Sequence, residues 1–439
     1  MLVRLNSAVK ILNRNGLSVM VNLANGGWTR LRSDLCHQFL REIDLMTPLE
    51  DIPYKFGEKD KAILKKLLPK LEETKFLLPL DSESEIEQTN GFCSHHSSLS
   101  LLVTLRCNLN CRHCSANAGP QPALVDPPIK DLFLILEKII AFDPKSFAIT
   151  GGEPFFRPDI LKLLRWVRNK YTGELLVATN ATLITKEMAK TIKEEGLIDF
   201  FDVSLDGVDE TSCANLRGHG TFERTIRGIK YLQDEGITNI STSMVVTRQN
   251  YHLQPAFASL NQELGTKYIF HNFSPAGRGK VNSDEFDMPV RETVQPVAQK
   301  IKQEVMAQNS MDIEGYKRWA RSNSRAALVA KMQCGAGVST FTVMPNGDVF
   351  PCTVLNYPQF LMGNLLSIDT FTTIIDRPTN RQLTESFHID HRPGCCDCDV
   401  RYFCIAVCMG ENYERTGDHL AIHPECSGIQ QDLSELVWK

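Results

Sequence analysis

The stretch that decides the fold is Leu99-Ser-Leu-Leu-Val-Thr-Leu105-Arg-Cys107-Asn-Leu-Asn-Cys111-Arg-His-Cys114. Its first half, Leu99–Leu105, is an apolar run of strand length, and its second half puts three cysteines into the loop that follows. A [4Fe–4S] cluster usually takes four thiolates, so three in one loop leave one iron open to a substrate or cofactor. A zinc reading stays possible, but a closed structural zinc site needs more ligands than this loop supplies by itself.

Outward from that strand the chain alternates. Strand-like runs follow at Phe147–Thr150, Leu175–Thr179, Phe201–Leu205, Thr242–Val246 and Tyr268–Phe273. Amphipathic segments near 129–141, 158–169, 185–195, 222–235, 253–263 and 290–307 lie between and after them. Six β–α repeats at this spacing predict an α/β fold with a parallel sheet, open or curled as a partial (β/α)6 barrel. Ligands on such sheets bind at the C-terminal strand ends. There the sequence places Thr150-Gly151-Gly152-Glu153-Pro154, Thr179-Asn180 and Ser204-Leu205-Asp206-Gly207, with Leu216-Arg217-Gly218 shortly after. Read as bare residues, such groups can equally cap the next helix.

Fourteen cysteines are many for 439 residues. The formal charge of −4 gives no basic footprint, so nucleic acid is not an expected partner. No apolar run approaches the roughly 18 residues of a membrane span, and the N-terminus lacks a signal-peptide layout. A cytoplasmic location is therefore expected, and in that reducing compartment metal or redox roles come before disulfides. Cys36, Cys93 and Cys213 are scattered and read as small buried hydrophobes, while the others cluster. Behind the repeats come Cys334, twelve residues, Gly347, four residues and Cys352, then Cys395-x2-Cys398-x5-Cys404-x3-Cys408, and finally Cys426. One or two zinc ribbons are the competing reading of those CxxC pairs.

Residues 1–80 read as a small α+β unit. Strands are predicted at Val9–Leu12 and Leu17–Leu23 around Asn15-Gly16, with a third near Trp28–Leu31. A helix from Ser33 or Asp34 through Leu45, a short one after Pro48 and a third over Lys59–Leu71 follow, the last expected to kink or end at Pro69. Residues 81–97 are polar and acidic, a linker in which Cys93-Ser94-His95-His96 reads as a chance grouping. The expected division is thus 1–80, a linker at 81–97, a barrel at 98–310, a bridging helical region at 311–333 and a cysteine-rich domain at 334–439.

The CxxxCxxC spacing after the first strand resembles the signature of the radical S-adenosylmethionine (SAM) superfamily, and Gly151-Gly152-Glu153 looks like its Gly-Gly-Glu motif. The resemblance implies that the open iron of a Cys107/Cys111/Cys114 cluster binds the amino and carboxylate groups of SAM. It implies further that Gly151, Gly152 and Glu153 meet the ammonium, that Asn180, Ser204 and Asp206 lie near ribose and carboxylate, and that Arg217 grips the carboxylate. The seven later cysteines resemble the SPASM extension of radical SAM enzymes that act on peptides and proteins. That likeness implies two auxiliary [4Fe–4S] clusters, one on Cys334, Cys352 and Cys408 and one on Cys395, Cys398, Cys404 and Cys426. The first is one thiolate short: the position that completes it in some relatives is Thr340, which leaves Cys396, a non-cysteine ligand or an open iron.

The N-terminal unit, winged-helix-like in its element order, resembles the peptide-recognition domain of ribosomal-peptide maturases; a plain packing module is the alternative. Such domains add a leader peptide as an extra strand. The whole then implies a radical SAM enzyme that modifies a precursor peptide, with a flavodoxin or ferredoxin as reducing partner. A thioether is the expected product, as in sactipeptide or ranthipeptide maturases, a group that Gly277-Arg278-Gly279 also resembles. Carbon–carbon or carbon–oxygen crosslinking stays open, as does epimerisation with Cys213 as hydrogen donor. Anaerobic sulfatase maturation is a rival, although those enzymes carry an acid after the second SPASM cysteine where this chain has Thr353. An iron–sulfur electron carrier or scaffold without catalysis would explain the cysteines but not the Gly-Gly-Glu motif.

Overall fold

A computed structural model describes residues 1–81, 98–122, 124–293, 295–308, 312–367, 370–404 and 408–439. Most of the linker, with Cys93-Ser94-His95-His96, lies outside the described residues. The N-terminal unit begins with β1 (Val3–Leu5), β2 (Val9–Arg14), β3 (Leu17–Asn22) and β4 (Gly27–Arg32). Asn15 and Gly16 both have positive φ, 48° and 76°, the geometry of a two-residue hairpin turn whose twist matches the flanking strands. The strands β2, β3 and β4 form one antiparallel sheet in that order. Helices α1 (Ser33–Asp44) and α2 (Glu58–Glu73) follow, and β5 (Leu77–Pro79) returns to pair with β1.

Helix α2 runs through Pro69 to Glu73 instead of ending there. Leu64, Leu68 and Leu71 are buried beneath it. Burying three leucines, at roughly 1.5–3 kcal/mol each, outweighs the approximately 3 kcal/mol that an internal proline costs. The three-stranded sheet is covered on both faces. Met20 and Leu31 join the core under α1 and α2, whereas Leu12, Val19 and Val21 pack with Val400, Tyr402 and Trp438 of the cysteine-rich region. Trp28 meets Phe403 edge-on at 5.3 Å, and Arg14 pairs with Asp399 at 2.8 Å.

The barrel strands are β6 (Ser98–Leu102), β7 (Ser146–Thr150), β8 (Glu174–Thr179), β9 (Phe200–Ser204), β10 (Ile240–Val246) and β11 (Lys267–Asn272), each parallel to the next. Between them run α3 (Ile129–Ala141), α4 (Ile160–Arg168), α5 (Lys186–Glu194), the pair α6 (Glu210–Arg217) and α7 (Thr221–Asp234), and α8 (Gln254–Leu264). Strand alternation divides the sheet's faces. Leu99, Leu101, Phe147, Ile149, Leu175, Val177, Phe201 and Val203 join the helices in one core. The intervening positions face the other side and include small or polar residues such as Ser100, Ala148, Asp202 and Ser243.

The sheet does not stop at six strands. Strand β12 (Thr340–Val343) pairs parallel with the outer edge of β6, and β13 (Asp348–Phe350) and β14 (Gly363–Asn364) extend it antiparallel to nine. The cysteine-rich region is therefore built onto the barrel sheet. Phe341 and Val343 enter the barrel core while Thr342 takes the opposite face, so Thr-Phe-Thr-Val carries strand alternation. Among the described residues, no helix is long and apolar enough to cross a membrane.

Candidate functional site

The C-terminal ends of the barrel strands surround a cavity of about 400 Å³. Cys107, Cys111 and Cys114 line it together with Gly151, Gly152, Asn180, Ser204 and Arg217. The loop carrying the cysteines is held by main-chain bonds: Gly152 N–H donates to Thr104 O at 2.8 Å and Glu153 N–H to Arg106 O at 2.9 Å. A Cβ on Gly152 would stand 2.2 Å from Arg106 O, so only glycine permits that approach. From the other side, Arg278 donates through Nε to Cys111 O at 2.9 Å and through Nη2 to Ala118 O at 2.5 Å. Its own N–H reaches Cys114 O at 3.0 Å. Gly277 beside it has φ +55°, and a Cβ there would lie 2.5 Å from Ser115 O. Gly277-Arg278-Gly279 is thus a bracket for the cysteine loop.

Burial pushes the Cys107 thiol up to about 12 and raises Cys111 as well. Left alone these thiols stay protonated at neutral pH; a bound iron centre reverses that by taking the thiolate. The N–H of Leu109 points at Cys107 Sγ at 3.4 Å and Asn180 Nδ2 lies 3.8 Å from it, donors suited to a thiolate. His113 Nδ1 is buried with no partner on the wall of the same cavity. Three convergent thiols, thiolate-directed N–H groups and an orphaned donor or acceptor fit an iron–sulfur cluster carrying a polar ligand.

Two carboxylates that the resemblance places near the ligand, Glu153 and Asp206, also fasten the structure around the cavity. The Glu153 carboxylate is fully buried and does not line the cavity. It accepts from Asn180 N at 2.7 Å, Thr179 Oγ1 at 2.7 Å and Phe155 N at 3.0 Å, so it ties the end of β8 to the Gly-Gly turn. Burial raises its pKa. Asp206 is also fully buried. One of its oxygens meets Arg217 Nε at 2.6 Å and His113 Nε2 at 2.9 Å, and the other accepts from Val245 N at 2.7 Å. Burial pushes this carboxyl up, yet Arg217 and His113 overcome it and hold Asp206 well below the usual carboxylate range. Its φ of +28° is strained for a non-glycine residue, as positions fixed by function commonly are. Arg217, aimed by Asp206, does reach the cavity wall. Cys213 is fully buried on α6, is not on that wall, and burial pushes its thiol up to about 12. That location does not suit a hydrogen donor to substrate.

The sequence does not single out His113 or His271, marks Arg278 only within Gly277-Arg278-Gly279, and marks Thr353 only for its missing acid. All four line the cavity. Thr353 comes from the cysteine-rich region, so residue 353 looks into the same space as the cysteine loop. His271 and Asn272 close β11, and the polar strand-end rule that picked out Asn180 and Ser204 would have found them.

A second cavity, about 250 Å³, is lined by Cys395, Cys398, Cys404 and Cys426. Cys396 is not on its wall; its thiol lies 3.7 Å from the Asp397 carboxylate. Cys334 and Cys352 flank one small core with Ala336, Phe350 and Met409, and both lie within electrostatic reach of Cys408. Burial pushes Cys352 up to about 11. Among the described residues, no three His, Cys, Asp or Glu side chains converge as tightly as a single metal ion requires. The thiols stand apart around shared space, as ligands of a larger centre do.

Comparison with known proteins agrees with this geometry. The sequence model of the radical SAM superfamily matches residues 101–255, and that of the SPASM iron–sulfur cluster-binding domain matches residues 334–399. Mycofactocin maturase MftC of Mycolicibacterium smegmatis is 29% identical over 322 residues, 71% of this chain and 77% of that protein. An AdoMet-dependent heme synthase of Nitratidesulfovibrio vulgaris is 26% identical over 74% of this chain and 90% of its own length. The antilisterial bacteriocin subtilosin biosynthesis protein AlbA of Bacillus subtilis is 28% identical over 65% of this chain and 60% of its own. In fold, the crystal structure of Streptococcus suis SuiB bound to S-adenosylmethionine matches with a TM-score of 0.57 at 18% identity, covering 96% of this chain and 99% of SuiB. The chain is an enzyme that carries a radical SAM domain and a SPASM iron–sulfur cluster-binding domain, and its cofactors are S-adenosylmethionine and [4Fe–4S] clusters.

Proposed function

We propose that this enzyme modifies a ribosomally made precursor peptide, forming a thioether between a cysteine sulfur and a carbon of the same peptide. The observation that carries the reading is the reach of Thr353 into the cavity of Cys107, Cys111 and Cys114. It brings the residue after Cys352 to the chamber where SAM would bind, so a substrate there has an auxiliary centre at hand to take the second electron that bond formation releases. The likeness to MftC, AlbA and SuiB supports a peptide substrate; SuiB has also been solved bound to its precursor peptide SuiA.

In this reading Cys107, Cys111 and Cys114 hold the SAM-binding cluster. Cys395, Cys398, Cys404 and Cys426 hold one auxiliary cluster, and Cys334, Cys352 and Cys408 hold the other with one coordination position left over. When bound and reduced, that cluster and SAM would supply the radical chemistry for hydrogen abstraction from the peptide. The chain's own residues bind and orient. Gly151 and Gly152 let the ligand approach main chain, Arg217 takes its carboxylate through the Nη edge left by Asp206, and Asn180 and Ser204 meet its polar rim. Glu153 and Asp206 position these groups.

The leader of the precursor would pair with a free edge of the β2–β3–β4 sheet, since both faces of that sheet are already covered. A flavodoxin or ferredoxin would deliver the electron. Thr353 is no base, which counts against sulfatase maturation, and the burial of Cys213 counts against epimerisation.

The test is anaerobic incubation of the iron-loaded enzyme with SAM, reductant and candidate precursors, followed by mass spectrometry. A loss of about two daltons per event with one fewer alkylatable thiol is the expected result. The same mass loss with every thiol free would move the product to a carbon–carbon or carbon–oxygen link. Turnover of a porphyrin and of no peptide would replace the reading with the one that the heme synthase likeness raises.

A further inference from the structure

Arg392 has no exposed surface and is the bulkiest fully buried side chain of the described residues. A guanidinium in that position costs several kcal/mol unless charge and hydrogen bonds compensate it. Its side chain donates to uncharged acceptors: Met409 Sδ at 3.0 Å, His419 O at 3.3 Å and Ala421 O at 3.0 Å. Nε is buried without a partner. Asp418 acts on it electrostatically, but it is 62% exposed and lies 3.8 Å from His419. The other acidic groups acting on Arg392 are all thiols: Cys395, Cys334 and Cys404. Two of these belong to the four-cysteine cavity and one to the three-cysteine set.

Neighbouring bonds put the same residue at the joint between the two sets. The Arg392 carbonyl accepts from Cys395 N at 3.1 Å and so starts the turn into the four-cysteine cavity. Met409, against Nη1, follows Cys408 and packs in the core shared by Cys334 and Cys352. The side chain thus carries one unneutralised positive charge between two groups of thiols, in a low-dielectric setting where a charge acts strongly over such spans.

We propose that Arg392 is the shared counter-charge of the two SPASM cysteine sets, needed to hold both as thiolates around their clusters and to keep both clusters easier to reduce. The inference rests on the cluster reading above. Net charge around a cluster is among the factors that set its potential, so removing one buried cation lowers both auxiliary potentials and leaves the Cys107/Cys111/Cys114 cluster unmoved.

The experiment compares wild type, Arg392→Met and Arg392→Lys as full-length reconstituted proteins. It measures iron and sulfide per chain and the midpoint potentials by redox titration followed by electron paramagnetic resonance. Expected for Arg392→Met is either loss of auxiliary iron or a fall of both auxiliary potentials. A tenfold shift in each reduction equilibrium corresponds to roughly 59 mV for a one-electron couple. Arg392→Lys, which keeps the charge but not the fork to the His419 and Ala421 carbonyls, is expected to load fully with potentials near wild type. Full loading of Arg392→Met with unchanged potentials overturns the proposal. So does an Arg392→Lys protein that behaves like Arg392→Met, since the carbonyl bracket and not the charge would then matter. A shift of all three clusters together would also overturn it, as general loosening. Wild type with iron for one cluster only would instead sink the cluster reading itself.

Discussion

Replacing Asp206 by Asn tests whether the ion-paired floor of the SAM cavity is a positioning device. Asn is nearly isosteric and keeps an oxygen for Val245 N, so the shape of the turn survives while the charge goes. What is lost is the pairing with Arg217 at 2.6 Å and His113 at 2.9 Å, between side chains 9%, 7% and 0% exposed. Removing one partner of a buried pair strands the other, at a cost of about 3–5 kcal/mol. Asn retains one hydrogen bond, which places the expected loss near the lower end, about 3 kcal/mol. Denaturant unfolding of iron-loaded protein reads this as a lower midpoint at unchanged slope.

The pH dependence has a definite sign. Because Arg217 and His113 hold the carboxyl below its ordinary range, its contribution is complete above the unfolded value of roughly 4 and is lost only as pH falls below that. The carboxylate's own titration should therefore narrow the gap between wild type and variant only below about pH 4. Arg217→Met combined with Asp206→Asn should cost clearly less than the sum of the two single changes, because the stranded guanidinium is gone. SAM affinity should fall in both single variants, Arg217→Met losing a ligand contact and Asp206→Asn losing its aim. A loss under about 1 kcal/mol, or strict additivity in the double variant, would refute the buried-pair reasoning.

Other predictions follow from the same geometry. Cys111→Ala should abolish SAM cleavage while removing only about four of twelve irons, counted by colorimetric iron assay; surviving cleavage would mean that the SAM-binding cluster lies elsewhere. Gly277→Ala forces a Cβ to 2.5 Å from Ser115 O at a φ of +55°, so iron in the first cluster should drop while auxiliary iron persists. Glu153→Gln should destabilise the protein by roughly 1–3 kcal/mol, because an amide NH2 would face donors at Asn180 N or Phe155 N, and the melting temperature checks it. Trp28→Ala should cost about 3–5 kcal/mol of the packing between N-terminal sheet and SPASM domain, seen as earlier proteolytic release of the N-terminal unit; unchanged resistance would speak against that interface.

The elements that sequence reveals best here are those whose cause is local. Cysteine spacing survives translation into structure because a loop of eight residues has little freedom once three of its side chains must converge. The barrel strands are legible since Leu99, Leu101, Phe147 and Ile149 alternate into one core. Contacts set by distant parts of the chain are not legible. Nothing near Thr340–Val343 says that it will lie beside Ser98–Leu102, although its alternation marks it as a strand. The backbone partners of Glu153 and Asp206 are not legible either, because a carboxylate at a strand end can face a ligand or fasten the backbone, and Asn180 N and Val245 N are 27 and 39 residues away. Arg392 is the extreme case: a charged residue before Pro393-Gly394 reads as an exposed turn, and only the fold buries it.

The most direct test of the central claim is isotope transfer from the peptide to the product of SAM cleavage. With precursor peptide carrying deuterium on its carbon atoms, the account predicts 5′-deoxyadenosine enriched by one deuterium per modified peptide. Unlabelled 5′-deoxyadenosine alongside modified peptide would contradict it, because the hydrogen would then have come from somewhere other than the substrate.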